Sequence, residues 1–153
     1  MMNTWFECRI RYEKVMADGM SKKVTEPYLV DALSFTEAEA RIIEQMAPYI
    51  SGEFTVRDIK RASYSEVFYT DEEVADKWYR VKVAFTSLDE KSGKEKKVHQ
   101  TCIVKASSTE DATKRLHEGM KGSLADYKIH TVSETEYMDV FFYVMDKVTD
   151  ETR

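Results

Sequence analysis

Glycine and proline are scarce, 5 and 2 among 153 residues, which excludes collagen-like and Pro/Gly-rich low-complexity chains. There are two cysteines, Cys8 and Cys102, far apart and without a Cys-x-x-Cys or Cys/His spacing. A disulfide framework and a zinc site are therefore not expected. Long apolar runs are missing too. The longest, Val140 to Met145, falls far short of the ~20 residues a membrane helix needs, so no membrane association is expected. Positive charge is in the minority, 23 Lys and Arg against 28 Asp and Glu for a net charge of -5, which weighs against a dedicated nucleic-acid binder. The opening Met-Met-Asn-Thr-Trp-Phe-Glu-Cys-Arg has no basic stretch followed by an apolar one, so no secretory leader is expected and the location expected is cytoplasmic.

What is present is an ordinary globular composition, 42% hydrophobic and 33% charged. A chain of about 150 residues buries roughly 68 to 70% of its unfolded surface and needs no metal or disulfide to hold a core. The sequence also repeats itself. Trp5-Phe-Glu-Cys-Arg-Ile10 aligns with Trp78-Tyr-Arg-Val-Lys-Val83 at an offset of 73. The same offset takes Ser34-Phe-Thr-Glu37 to Ser107-Ser-Thr-Glu110, and Tyr64-Ser-Glu-Val-Phe-Tyr69 to Tyr137-Met-Asp-Val-Phe-Phe142. Between the first two blocks a one-residue slip aligns Lys22-Lys-Val24 with Lys96-Lys-Val98, as an indel in a turn would. A collinear set that includes a Trp pair predicts two copies of one unit, residues 5–69 and 78–142.

Each copy reads as strand, hairpin, strand, helix, long strand. Phe6, Cys8, Ile10 and Tyr12 alternate with Glu7, Arg9 and Arg11, and Tyr79, Val81, Val83 and Phe85 alternate with Arg80, Lys82 and Ala84. That is the period of a half-buried strand. Asp18-Gly19 and Ser92-Gly93 mark turns. Lys22-Lys23 and Lys96-Lys97 flank them as solvated residues, a normal guard on exposed strand ends. Ser34-x-x-Glu37 and Ser107-x-x-Glu110 read as capping boxes that start the two helices. The stripes Ala40, Ile43, Ala47 and Ala112, Leu116, Met120 are expected to pack on the sheet, with Pro48 ending the first helix and Gly119 with Gly122 the second. The third strands are expected to run long, 53–69 and 126–143. Breaks of parity at Ile59 and Val132 predict bulges near Arg57-Asp58 and His130-Thr131. Thr70 to Glu73 reads as a capped helical turn. The fold expected is α+β: a two-layer sandwich built from a tandem duplicated β-β-α-β unit with mainly antiparallel sheet. It forms one domain over 1–153, with a polar, fraying tail at 146–153.

No catalytic signature is present: no Gly-x-Ser-x-Gly, no His-Glu-x-x-His, no phosphate loop and no dinucleotide fingerprint. No cofactor or metal is expected, and an enzyme is the third-ranked reading. His99, His117 and His130 all lie in the second copy and read as drifted surface residues, and Cys8 as a buried, inert thiol. The binding candidates are Trp5, Arg9, Arg11, Trp78, Arg80 and Lys82, because the two Trp fall on the polar parity beside the basic residues. Aromatics among cations on an open sheet face are how single-strand binders stack bases and neutralise phosphates. The plainer reading, preferred here, has each Trp closing a sheet corner or touching the other copy. The aromatics at 64–69 and 137–142 read as core or as the interface between the copies.

The segments Trp5–Lys14, Lys22–Arg41 and Ile50–Lys60 resemble a family of short proteins of unknown function from gut Bacteroidetes and their phages, over nearly the whole chain. The resemblance brings no activity, ligand or site residue; it implies a small intracellular, phage-related protein. The leading expectation is a non-enzymatic binding or assembly module with a protein partner, a homo-oligomer being compatible with it. The alternative is a nucleic-acid-associated protein using the aromatic and basic sheet face for a single strand.

Overall fold

The computed structural model describes residues 4–123 and 125–142, so the tail expected at 146–153 lies outside the described residues. Over the described residues the chain is α+β, with two mainly antiparallel four-stranded sheets and two helices. In order these are β1 (Thr4–Val15), β2 (Ser21–Ala32), α1 (Phe35–Met46), β3 (Phe54–Ala62), β4 (Glu66–Phe68), β5 (Lys77–Leu88), β6 (Glu95–Ala106), α2 (Thr109–Gly119), β7 (Tyr127–Glu134) and β8 (Val140–Phe141). They fall into two compact units: the described residues through Ser63 with those from Glu136 onward, and Tyr64–Thr135. Among the described residues no helix is long and apolar enough to cross a membrane.

In the first unit the strands run β3-β1-β2-β8. β1 and β2 form an antiparallel hairpin from Thr4↔Ala32 to Val15↔Ser21. Its turn holds Gly19 at φ +83°, a backbone that L side chains rarely adopt, and Asp18 Oδ1 accepts the Met20 N–H at 3.0 Å. The even-numbered residues Phe6, Cys8 and Ile10 pack with Tyr28, Val30 and Ala32 against Ala38, Ile42 and Met46 of α1, all buried. Ser34 is the N-cap expected, its Oγ accepting the Glu37 N–H at 3.1 Å. α1 stops at Met46, with Ala47 as C-cap directly before Pro48. The buried stripe is not the one expected. Ile43 is 43% exposed, and Ala40 and Ala47 are exposed too. Both stripes are apolar at helical spacing, but Ala38, Ile42 and Met46 bring two large side chains to the core where the other brings one.

The second unit has the order β4-β6-β5-β7. Tyr79, Val81, Val83, Cys102, Val104 and Ala106 pack against Ala112 and Leu116 of α2, with Met120 at the margin as expected. Its helix begins one residue later than the expected capping box. Ser108 is the N-cap, accepting from Asp111 N–H at 3.1 Å. The Asp111 carboxylate reaches back and accepts the Ser107 N–H at 3.0 Å and its hydroxyl at 3.1 Å. Three hydroxyl residues in a row, 107–109, followed by two acids, leave the frame open in the sequence. The segment after Thr70 makes a single turn, with Thr70 Oγ1 accepting the Glu72 N–H at 3.3 Å and Glu72 O accepting the Ala75 N–H at 3.1 Å.

The bulges sit where the parity breaks predict. Arg9 pairs with Asp58 but Ile10 with Val56, leaving Arg57 extra; Lys82 pairs with Thr131 but Val83 with Ile129, leaving His130 extra. The long third strands are corrected. β3 ends at Ala62, which pairs with Trp5. The chain then supplies β4 to the second sheet, parallel to β6 from Glu66↔Cys102 to Phe68↔Val104. After β7 it supplies β8 to the first sheet, parallel to β2 at Leu29↔Val140 and Val30↔Phe141. Each sheet thus takes its short strand from beyond the other sheet's last long strand.

Candidate functional site

Residues of β1 and β5 that alternate with the helix-facing ones lie on the opposite, helix-free face of each sheet. In the first unit that face carries Trp5, Glu7, Arg9 and Arg11. Trp5 is 4% exposed and its ring meets Phe142 edge-on, centroids 5.4 Å apart. Arg9 is exposed, with Glu7 at 3.4 Å, and Arg11 is half-buried. Opposite charges meet across this face: Arg9 pairs in register with Asp58 and Glu7 with Lys60, while the buried Asp31 lies beside Trp5.

In the second unit the helix-free face carries Trp78, Arg80, Lys82 and Ala84. Trp78 is also 4% exposed, with Lys105 Nζ 5.7 Å from its ring and 5.0 Å from that of Tyr69. Arg80 is half-buried and donates to Tyr64 Oη at 3.0 Å. Lys82 is exposed. The six residues chosen from the sequence therefore do share helix-free faces within their own units. Both indoles, however, are covered and present no open ring face to a base.

What the sequence reading missed lies on the neighbouring strands. The register places Lys97 beside Thr86, His99 and Lys128 beside Ala84, and Thr131 beside Lys82. The bulge at His130 turns its ring to that of His99, centroids 5.2 Å apart at 74°. Lys82, Lys97, His99, Lys128 and His130 are all exposed, so one face of this acidic protein gathers an open basic row. The signal was parity, but parity can be used across strands only once the pairing register is known. The acids sharing this parity, Glu95 and Asp126, stand at the hairpin end.

Other chemistry is quiet. Burial, and then Glu7, pushes the Cys8 thiol up to about 12, and burial raises Cys102, whose Sγ lies 3.6 Å from Ser65 Oγ. Both are thiols rather than nucleophilic thiolates at neutral pH. Cys102 walls a depression of about 410 Å³ together with Ser65, Glu66, Gln100, Met120 and Lys121. His117 turns away to Tyr127, Nδ1 to Oη 2.7 Å. Among the described residues no three His, Cys, Asp or Glu side chains converge as metal ligands.

A family model described as a domain of unknown function, DUF4494, matches residues 4–143. No curated protein and no solved structure matches the chain.

Proposed function

From a chain that belongs to the DUF4494 family, whose function is unknown, we propose a non-enzymatic binding module that holds single-stranded nucleic acid along the helix-free face of its second sheet. The observation that carries this reading is the exposed basic row of Lys82, Lys97, His99, Lys128 and His130 in a protein of net charge -5. Cations gathered on one face neutralise phosphates and release counterions, a term that does not depend on base sequence. With both indoles buried, backbone contact rather than stacking carries the affinity.

The same proposal takes the chain as a tandem duplication in one domain. Its support is the matching order of the sheets, the matching bulges, and short strands traded in both directions. A cytoplasmic location and a phage-related origin in gut Bacteroidetes belong to the proposal through the segment resemblance.

The test is a fluorescence titration with a labelled oligonucleotide. Binding should appear well below the millimolar range at low salt and weaken steeply as salt rises. Lys82→Ala, Lys97→Ala and Lys128→Ala should each lower the slope of log K against log salt by about one unit. No binding below the millimolar range at low salt would overturn the reading in favour of a protein partner.

A further inference from the structure

We infer that His99 and His130, set over Ala84 and ringed by Lys82, Lys97 and Lys128, form a seat for one phosphate group. For its ligand this rests on the nucleic-acid reading above, and it names where on the face a phosphodiester is gripped.

Ala84 lies between β6 and β7, paired with His99 on one side and Lys128 on the other. A methyl group is too short to separate side chains from the flanking strands, and the two imidazoles meet across it at 5.2 Å. Ala84 is only 6% exposed, although its outward neighbours His99, Lys128 and His130 are exposed. The bulge is what makes the meeting possible: the extra residue, His130, leaves the ladder and turns its ring toward His99.

The first unit is the control the molecule itself provides. There too the second residue beyond the bulge is central, but it is Arg11, flanked in register by Thr25 and Thr55, with Arg57 as the extra residue. A long cation fills the place where the second unit has a methyl group, and Asp58 and Glu13 share the surroundings. The second unit has a small floor, two imidazoles and three lysines instead. Each imidazole offers at least one N–H donor in any tautomer, and each ammonium offers three. Donors with a surplus of positive charge fit an oxyanion, whose hydrogen bonds to charged groups are the strong ones. A metal cation fits poorly, for the lysines repel it and among the described residues no third His, Cys, Asp or Glu side chain converges there.

The test follows the imidazole proton signals of the full protein by NMR. Inorganic phosphate, the dinucleotide d(TpT) and thymidine are added in separate titrations. Phosphate and d(TpT) should shift the signals of His99 and His130 and leave those of His117, while thymidine, which has no phosphate, should shift none. The double variant His99→Gln, His130→Gln should melt like the parent and lose about tenfold in oligonucleotide affinity. Imidazole signals unmoved by both phosphate compounds, with parental oligonucleotide affinity in the double variant, would overturn the seat and leave the nucleic-acid reading intact. Signals that move with phosphate and d(TpT) while no oligonucleotide binds would uphold the seat and overturn the strand reading. A response to zinc but not to phosphate would overturn the seat outright.

Discussion

Asp111 serves two neighbours at once. Its carboxylate accepts from Arg115 Nε at 2.8 Å and from the Ser107 amide and hydroxyl, while Arg115 also holds Glu72. The Arg115 hydrogen bond first, and the Ser107 amide next, hold the Asp111 carboxyl below its ordinary value. A carboxyl lowered by folding adds stability above its unfolded pKa, near 3.9, and loses it as pH falls through the lower folded value. Acid unfolding followed by circular dichroism should therefore show a limb below about pH 4 that Asp111→Asn lacks. The caps are separable by the same reasoning. Ser34→Ala and Ser108→Ala should each cost about 0.5–2 kcal/mol in urea unfolding, the range for a lost N-cap. Ser107→Ala should cost less than either, since its N–H still reaches Asp111. Equal losses at Ser107 and Ser108 would return the cap to the earlier frame.

At the scale of elements, α2 and β4 meet at one glycine. A Cβ on Gly119 would lie 2.6 Å from the Phe68 ring, so the close approach of β4 to the helix end depends on there being none. Gly119→Ala gains helix propensity of up to ~1 kcal/mol and incurs overpacking of about 1–3 kcal/mol. The expected net is a loss of about 1 kcal/mol, relieved when Phe68→Leu is combined with it; an additive double variant in chemical denaturation would refute the contact. The bulges, the first cap and the strand parities were readable because each is written in residues a few positions apart. Where β4 and β8 pair was not readable. Val67 lies beside Ile103, and Leu29 beside Val140, and nothing local marks a partner so distant. The basic face is readable by halves for the same reason: Arg80 and Lys82 show in their own strand, whereas Lys97 reads as a turn residue and His130 as a surface position until the strands are paired. The face of α1 was misread because two apolar stripes compete and only side-chain bulk separates them.

At the scale of the molecule, the first unit is built from both ends of the described chain. Asp139 O accepts the Leu29 N–H at 3.1 Å, Pro27 O accepts from Met138, and Phe141 packs on the first core, with a ring centroid 5.9 Å from that of Tyr28. Ending the chain at Thr135 should therefore weaken the first unit, by roughly 2–3 kcal/mol for the apolar side chains lost. Hydrogen exchange at the Leu29 amide should quicken, while amides of β5 keep their protection. Unchanged protection at Leu29 would mean that β8 contributes nothing. The second unit, by contrast, is one unbroken run of 72 residues, Tyr64–Thr135. A ribosome adding about 5–20 residues per second needs roughly 4–14 s to make that run. For that interval β2 has been synthesised while its parallel neighbour does not yet exist, and the segment made first is the one that must wait. Every strand of the second sheet has been made once Glu134 is added, whereas the opening half, already paired through β1, β2 and β3, gains its last strand only with the arrival of Val140 and Phe141.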